Sequence, residues 1–246
     1  MDCVKSIRHL LGNHYENEHF VIDKTGVKMI EILAANFHAD EEAIFGTINH
    51  DYAEREKEWY LSMNRNVRAF PGGAPTIWKE VSDHNGYINS NYGWCCFSSQ
   101  NGHQYHNMLK ELLHNPYSRR ATIIYTRPEM WEEFNLNGRS DFICTNTVQY
   151  FIREGHVYAS VQMRSQDVVM GYKNDRHWQN FMLDRLLQDL HVQWPELKKG
   201  EIYWSVGSLH VYERHFYLVD YYNIHGVHNI TKKVYDDFIV GGHLSV

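Results

Sequence analysis

Short apolar runs broken by turn residues fill the first half of the chain. Residues 20–38 (FVIDKTGVKMIEILAANFH) hold two apolar runs around a Lys-Thr-Gly turn, which predicts a β-hairpin. Residues 50–62 are mostly charged, with apolar residues at intervals. We expect a helix there that ends near its Trp-Tyr pair. FPGGAPT (70–76) is the strongest loop signal in the chain. HNMLKELLHNP (106–116) predicts an amphipathic helix that is stopped by its Asn-Pro pair.

The second half of the chain is denser in β-branched and aromatic residues. ATIIYTRP (121–128) predicts a strand ended by proline, and residues 142–163 form two β-rich runs about a turn at 153–155. Residues 176–191 predict a helix, and EIYWSVGSLHVY (201–212) predicts another strand. One face of that helix carries the apolar side chains Trp178, Met182, Leu186 and Leu190, with Phe181 and Leu187. Because strands and helices mix without a regular βαβ alternation or a clear linker, we expect one α+β or mixed-sheet α/β domain.

Length, charge and composition narrow the function classes. A chain of 246 residues is long enough for one large domain, and its net charge of −6 offers no broad basic surface for nucleic acid. Aromatic residues make up 14% of the chain, which excludes a disordered protein. No apolar stretch approaches the ~20 residues of a membrane span, and the first residues lack the apolar region of a signal peptide. Because the cysteines show no Cys-x-x-Cys spacing, we expect reduced thiols and a cytoplasmic protein.

Histidine is plentiful, at 17 residues, so a metal site has to be considered. HExxH is absent, and His210 and His215 are spaced unlike a helical zinc pair, so we expect structural or substrate-binding histidines and no metal site. The chain also lacks GxGxxG, GxxxxGK[ST] and GxSxG. It therefore offers no dinucleotide-binding fingerprint and no P-loop, and it lacks the nucleophile turn of many serine hydrolases.

Cys144 is the best candidate for a nucleophile. Its run, DFICTNTVQY, is β-rich, and a plain buried thiol is the commoner explanation of such a cysteine. Chemistry requires a nearby cation that stabilises the thiolate, and pairing of the two β-rich runs would bring Arg164, at the end of the second run, towards it. Arg119 and Arg120 open the preceding strand. They are either a solvated strand start or a phosphate site, since guanidinium groups bind phosphate in a bidentate manner.

Taken in order, these pieces resemble the thymidylate synthase family from about residue 20 to residue 222. The matching stretches are DKTG (23–26), EKEW (56–59), TIW (76–78), NYGW (91–94), NPYSRR (115–120), ICTNTVQ (143–149), RSQDVVMGYKND (164–175) and GSLHVYERH (207–215). One such match would mean little, but eight in the family's order make a specific signal. The resemblance implies an α/β thymidylate synthase fold, in which a mixed β-sheet with packed helices forms a single catalytic domain over residues 1–246. It also implies a sheet-to-sheet homodimer.

The resemblance implies roles for individual residues. Cys144 matches the nucleophile that adds to C6 of a pyrimidine, so that C5 attacks the one-carbon unit of 5,10-methylenetetrahydrofolate. Glu56 matches a glutamate that relays protons through water. The matching substrate ligands are Lys24, Tyr92, Arg119, Arg120, Arg164, Ser165, His210 and Tyr212. The matching folate ligands are Trp78, Asp167 and Gly171.

Some of these ligands are expected to act on particular parts of the nucleotide. Arg164 and Ser165 match phosphate ligands of the same subunit, whereas the Arg119–Arg120 pair matches one that the partner subunit supplies. Lys24 stands where the synthases usually have arginine, which keeps the charge but loses the guanidinium fork. The ligands that match the sugar 3′-hydroxyl site are His210 and Tyr212.

Asp175 stands where the synthases carry asparagine. That amide matches the N3–H donor and O4 acceptor of uracil, whereas cytosine presents an N3 acceptor and an N4 amino donor. A protonated carboxyl donates to N3 and accepts from N4, and alternatively a carboxylate pairs with an N3-protonated ring. Because each unpaired buried polar group costs ~1–3 kcal/mol, either arrangement would select cytosine strongly. A surface aspartate in an Asn-Asp turn is the alternative explanation.

Three departures from the family pattern bear on the second half of the reaction. Ile143-Cys144-Thr145 replaces Pro-Cys-His, Val81 stands in place of a second tryptophan, and the apolar C-terminal lid is not recognisable in FIVGGHLSV (238–246). We expect these changes to admit ordered water near the exocyclic methylene intermediate. Hydroxide would then be added in place of hydride, giving a hydroxymethyl group and tetrahydrofolate.

The resemblance, together with Asp175 and these departures, therefore implies a homodimeric enzyme that converts dCMP, methylenetetrahydrofolate and water to 5-hydroxymethyl-dCMP and tetrahydrofolate. The expected setting is a virus that builds modified cytosine into its DNA in the host cytoplasm, with no direct contact to nucleic acid or membrane. Partners among other nucleotide-synthesis enzymes of a phage stay open. One alternative is a dUMP methylase or hydroxymethylase, which Asp175 disfavours. The other is a non-catalytic nucleotide-binding relative, disfavoured because the catalytic candidates occur together.

Overall fold

The computed structural model of the chain describes residues 2–242. The helices are α1 (Val4–Glu16), α2 (His50–Leu61), α3 (Thr76–Val81), α4 (Tyr92–Phe97), α5 (Gln104–His114), α6 (Met130–Glu133), α7 (Tyr172–Leu190), α8 (Phe216–His225) and α9 (Lys232–Gly242). The strands are β1 (Asp2–Cys3), β2 (Val21–Ile22), β3 (Lys28–His38), β4 (Thr122–Ile124), β5 (Thr145–Arg153), β6 (His156–Asp167) and β7 (Lys198–Tyr212). The chain divides into two compact units. Unit 1 comprises residues 1–48, 165–177 and 204–246, and unit 2 comprises residues 49–164 and 178–203.

Unit 1 is built on the strand order β1-β3-β7-β6, with β2 paired to β3. β1 runs parallel to β3, whereas β2 runs antiparallel to it with Val21 opposite Met29, so the sheet is mixed. The hairpin predicted over residues 20–38 is confirmed, although its first strand has only two residues. Helix α1 packs on β3 and α8. Its buried apolar face has helical spacing and consists of Val4, Ile7 and Leu11.

Unit 2 has the strand order β7-β6-β5-β4, in which β4 and β5, and β5 and β6, are antiparallel. The predicted β5–β6 hairpin is confirmed, with Arg153 opposite His156 at the turn. Two expectations about the strands need correction. The strand predicted at 121–128 has only three residues, and β6 continues to Asp167, so Arg164 lies within the strand and not at its end. β6 continues because its backbone pairing continues, as the Arg164 N–H donates to the Cys144 carbonyl at 2.9 Å.

The helices predicted at 50–62 and 106–116 are confirmed as α2 and α5. In unit 2, α4 packs on α2 and α5, and Gly93 is what allows the first contact. A Cβ atom on Gly93 would lie only 1.7 Å from the backbone oxygen of Tyr60. No other residue fits there, and the close approach stacks the Tyr92 ring on the Tyr60 ring at 5.1 Å.

Helix α7 starts at Tyr172, four residues earlier than predicted. Its predicted apolar face is confirmed, since Trp178, Met182, Leu186 and Leu190 are buried. Phe181 and Leu187 are half-buried. The mixed α/β fold class is thus confirmed, while one domain over residues 1–246 stays a prediction. Of the helices described, none has the length and apolarity that crossing a bilayer requires.

Candidate active site

In unit 2, Cys144 lies immediately before β5, outside the strand in which the sequence pattern placed it. The Arg164 guanidinium donates from Nη2 to Cys144 Sγ at 3.5 Å. The same guanidinium donates to the carbonyls of Ile143 at 3.0 Å and Phe142 at 2.6 Å, and it lies over the Phe142 ring. Because these contacts hold the cation in place, it can stabilise a thiolate on Cys144. The proximity predicted from the hairpin is confirmed.

The other cysteines of unit 2 are in a different environment. Cys95 and Cys96 are fully buried. Burial raises the pKa of Cys95 to about 12 and raises that of Cys96 well above its ordinary value. Both therefore stay thiols at neutral pH, whereas Cys144 is half-exposed. Of these three cysteines, only Cys144 combines exposure with an adjacent cation.

Glu56 lies on α2 of unit 2 and is 5% exposed. Its Oε1 accepts hydrogen bonds from the Tyr52 hydroxyl at 2.6 Å and from the Trp78 indole N–H at 3.0 Å. Tyr52 is one helical turn before Glu56, a spacing that could have been read from the sequence. Contact of Trp78 with folate stays a prediction, while the structure shows that its N–H donates to Glu56 Oε1.

Tyr92 and Thr145 meet inside unit 2, where both side chains are buried. The Thr145 hydroxyl donates to the Tyr92 hydroxyl at 3.0 Å. Thr145 is the residue expected to stand in place of a histidine of the synthases, and the structure puts a small hydroxyl pair at this position. Val81 is half-buried and ends α3.

A buried polar network holds the chain segment that leads into α4. The Asp141 carboxylate accepts from the backbone N–H groups of Asn89 and Ser90 at 2.6 and 2.8 Å, and from the Ser90 hydroxyl at 2.5 Å. Asn91 then caps α4, as its side-chain oxygen accepts from Trp94 N–H. Since Asp141 lies three residues before Cys144, one loop positions both the thiol and the Tyr92 helix.

Arg119 and Arg120 are exposed at the start of β4. The Arg120 guanidinium pairs with Glu111 of α5 at 2.9 Å, and the Glu111 carboxylate also accepts from the Ser118 hydroxyl. The guanidinium contacts of Arg120 that the structure shows are thus with Glu111 of α5, while its backbone N–H donates to the Ser118 hydroxyl. A role across a subunit interface stays a prediction.

In unit 1, the segment 167–171 turns the chain from β6 into α7. Asp167 holds this turn, since its Oδ1 accepts from the N–H groups of Val169 at 2.7 Å and Met170 at 2.9 Å. Its Oδ2 lies 3.6 Å from the Arg214 guanidinium. A Cβ atom at Gly171 would come within 2.9 Å of the Gln166 side-chain nitrogen and 3.1 Å of the Asp167 backbone oxygen, so a side chain at this position would crowd both.

Asp175 lies in the first turn of α7, where the helix N-terminus favours a negative charge. Its Oδ2 accepts from Gln166 Nε2 at 2.6 Å, and Gln166 Oε1 in turn accepts from the Trp204 indole N–H at 3.1 Å. Sequence reasoning missed Gln166 and Trp204. Gln166 stands in the quoted RSQD motif, but no local signal links it to a tryptophan on β7. Asp175 is half-buried within a helix and bonds to a buried glutamine, so the alternative of a surface aspartate in a turn does not fit.

The remaining predicted ligands of unit 1 lie on β6 and β7. His210 is buried, its ring is 4.9 Å from that of Tyr212, and its backbone oxygen accepts from Val168 N–H. Arg214 lies over the Tyr212 ring at 4.7 Å. Ser165 is half-buried on β6. His210 and Tyr212 thus form a ring pair, while contact with a sugar stays a prediction.

Lys24 is exposed in the turn between β2 and β3. The turn is held by Asp23, whose Oδ1 accepts from Thr25 N–H, the Thr25 hydroxyl and Val27 N–H. The bond from the Thr25 side chain lowers the pKa of Asp23. Gly26 supplies the left-handed φ of 86° that closes the turn.

Within residues 2–242, no group of three or more His, Cys, Asp or Glu side chains is arranged to hold a metal ion. The expected change in the C-terminal lid falls partly on residues 243–246, which lie outside the described residues. Residues 238–242 belong to α9.

Comparison with known proteins gives a family and several relatives. Residues 6–223 match the family described as Thymidylate synthase. The deoxycytidylate 5-hydroxymethyltransferase of Enterobacteria phage T6 is 52% identical over 234 residues, which cover 94% of this chain and 95% of that protein. The enzymes of the same name from Enterobacteria phages T4 and T2 are each 51% identical and cover 94% and 95% of this chain, and 95% and 96% of their own lengths.

Proposed function

The chain belongs to the thymidylate synthase family, and on that premise we propose that it is a one-carbon transferase converting dCMP to 5-hydroxymethyl-dCMP. The names of the relatives support this substrate and product. The structural observation that carries the proposal is the cation beside the nucleophile, with Arg164 Nη2 at 3.5 Å from Cys144 Sγ. That arrangement suits covalent catalysis by a thiolate.

Cys144 is proposed to act in the first and the last step of the reaction. Its thiolate adds to C6 of the cytosine ring, and the electron pair of the C5–C6 bond moves to C5, which forms a bond to the one-carbon unit. 5,10-Methylenetetrahydrofolate supplies that unit at the oxidation level of formaldehyde and leaves as tetrahydrofolate. C5 loses its proton as the C–N bond to the folate breaks, which releases tetrahydrofolate and leaves an exocyclic methylene group on C5. Water adds to that methylene carbon, and Cys144 departs from C6 as the thiolate. The balance is dCMP, methylenetetrahydrofolate and water to 5-hydroxymethyl-dCMP and tetrahydrofolate.

Glu56 is proposed to move protons through water during these steps. The Tyr52 hydroxyl and the Trp78 indole both donate to its Oε1, which fixes the carboxylate plane. A carboxylate that is held in one orientation can accept and return a proton along a fixed path.

Thr145 and Tyr92 are proposed to decide that water and not hydride is added. The buried hydroxyl pair at 3.0 Å offers donors and acceptors in a smaller volume than an imidazole. An ordered water that binds such a pair can attack the exocyclic carbon. Val81, which replaces a bulky indole, leaves further room.

The groups proposed to bind folate fit a flat, polar ring. Trp78 is half-exposed and offers a ring face. Asp167 keeps a carboxylate oxygen beside Arg214, while its other oxygen is held by backbone N–H groups. A carboxylate fixed in this manner suits the N–H groups of a pterin. Gly171 is proposed to keep the neighbouring backbone close to the ring.

Phosphate binding is proposed to use Arg164 and Ser165, with Lys24 from its turn and the Arg119–Arg120 pair from a second subunit. The exposure of Arg119 and Arg120 supports a role outside their own fold. The sugar 3′-hydroxyl is assigned to the His210–Tyr212 pair. We also propose that the protein acts as a homodimer in the cytoplasm of an infected cell.

Mass spectrometry of the product tests this function. The protein is incubated with methylenetetrahydrofolate and either dCMP or dUMP, and release of tritium from C5 is followed in parallel. We expect 5-hydroxymethyl-dCMP from the wild type and loss of turnover with retained nucleotide binding in Cys144→Ser, with Cys3→Ser as the matched control. A protein that releases no tritium from dCMP, or that methylates dUMP in preference, would refute the proposal.

A further inference from the structure

Gln166 links Asp175, the residue proposed to recognise the base, to buried side chains of unit 1. It lies on β6 and is 3% exposed, and Trp204 on β7 is 1% exposed. Gln166 Nε2 donates to Asp175 Oδ2 at 2.6 Å, and Trp204 Nε1 donates to Gln166 Oε1 at 3.1 Å. The three side chains form a chain of hydrogen bonds that runs from the buried Trp204 and Gln166 to the half-buried Asp175 carboxyl.

The direction of these hydrogen bonds follows from the chemistry of the groups. An indole N–H can only donate, so the atom of Gln166 that faces Trp204 is the amide oxygen. A flipped amide would set N–H against N–H and oxygen against a carboxylate oxygen, and would leave these polar groups unpaired. Gln166 therefore presents a donor to Asp175 Oδ2.

The surroundings keep the Gln166 amide in this place. A Cβ atom at Gly171 would lie 2.9 Å from its nitrogen, so the absence of a side chain at Gly171 creates the space that the amide occupies. On the other side, the Tyr172 ring meets the Trp204 indole edge-on at 5.4 Å. The donor is thus fixed by packing as well as by hydrogen bonding.

We propose that Gln166 is a positioning residue for base specificity, acting through Asp175. By donating to Oδ2 it keeps that oxygen an unprotonated acceptor, confines any carboxyl proton to Oδ1 and fixes the carboxyl plane. Both arrangements that suit cytosine need one oxygen that accepts from the N4 amino group, and a carboxylate oxygen has lone pairs for two donors. The inference rests on the proposed function, because it assumes that Asp175 meets the base.

Gln166→Met tests the idea because it keeps the length of the side chain and removes the donor. Binding of dCMP and dUMP is measured by calorimetry and turnover by steady-state kinetics. We expect the preference for dCMP over dUMP to fall about tenfold. Gln162→Met, on the same strand but exposed, is the matched control and should keep the preference. In an Asp175→Ala background, Gln166→Met should leave the binding ratio unchanged, since the residue acts through Asp175.

Gln166→Glu provides a second readout that a purely structural role would not move. It sets a second carboxyl against Asp175, so the pair must share a proton. We expect its kcat/KM for dCMP to fall more steeply than that of the wild type as pH rises.

An unchanged nucleotide ratio in Gln166→Met, or an equal loss for both nucleotides, would overturn the inference. If Gln166→Met does not fold, a wild-type pH profile in Gln166→Glu would overturn it in the same way. A wild-type protein that binds but does not convert dCMP would remove the proposed function instead, while the binding ratios would still decide the role of Gln166.

Discussion

Replacing Arg164 by methionine should slow the alkylation of Cys144, because the variant removes the cation that lies 3.5 Å from the sulfur. The experiment needs no nucleotide. It therefore separates the effect of Arg164 on the thiol from its proposed role as a phosphate ligand.

The size of the effect follows from Coulomb's law. Unit charges at 3.5 Å attract by about 1.2 kcal/mol in water and by about 4.7 kcal/mol at an effective dielectric constant of ~20. Arg164 is exposed, so the lower figure applies. It corresponds to about an eightfold higher thiolate fraction below the titration midpoint. Because a more stable thiolate is also a weaker nucleophile, with a Brønsted slope near ~0.45, the expected loss in alkylation rate is about threefold.

Peptide mapping by mass spectrometry after timed exposure to iodoacetamide gives the rate for each cysteine. The rate–pH midpoint of Cys144 should move up by about one unit in Arg164→Met. Arg153→Met is the matched control, because Arg153 also lies over a phenylalanine, Phe151, and donates to a backbone carbonyl. Cys144 alkylated at the wild-type rate in Arg164→Met would show that the guanidinium does not stabilise its thiolate.

Three further outcomes are expected. Asp175→Asn should lower kcat/KM for dCMP and raise it for dUMP, shifting their ratio by at least ~10-fold, or about 1.4 kcal/mol; an unchanged ratio would mean that Asp175 does not read the base. Mixing Arg120→Ala with Cys144→Ser subunits should restore one intact site per heterodimer, and inactivity under demonstrated subunit exchange would exclude a shared site. Burial lowers the pKa of His215 below its ordinary 6.5, and its Nδ1 is buried without a partner among the described residues. The unfolded chain therefore takes up a proton first as pH falls through 6.5, and the urea midpoint should drop there, less so in His215→Gln; an identical drop in both proteins would count against this assignment.

Contacts across a predicted hairpin and the position of a helix could be predicted from the sequence, whereas contacts between distant parts of the chain could not. The Cys144–Arg164 contact could be predicted because the turn at 153–155 fixes the register of the hairpin and so sets Arg164 opposite Cys144, although β6 does not end at Arg164. The helix that carries Glu56 was equally readable, since its apolar spacing spans three turns. Tyr52 could have been added from the same spacing.

The partnership of Asp175 could not be predicted in this manner. It depends on the reversal of the chain at 167–171 and on a tryptophan that arrives from β7, far along the sequence. The strand lengths expected from β-propensity were also wrong, because backbone pairing with the neighbouring strand decides where a strand ends. β4 stops after Ile124, since the next two N–H groups both turn to the Asn146 carbonyl. β6 continues to Asp167, since the backbone pairing of the strand continues at Arg164, whose N–H donates to the Cys144 carbonyl.

The Asp23 turn has a thermodynamic consequence for whatever anion Lys24 meets. Fixing the backbone of one residue costs about 1–2 kcal/mol of conformational entropy. In this turn the backbone is already ordered when the protein folds, because three hydrogen bonds to a single carboxylate oxygen hold it. An anion that binds Lys24 therefore has to order only its side chain, at ~2 kcal/mol or less. Variants that loosen Asp23 should weaken such binding through entropy, with the charge of Lys24 unchanged.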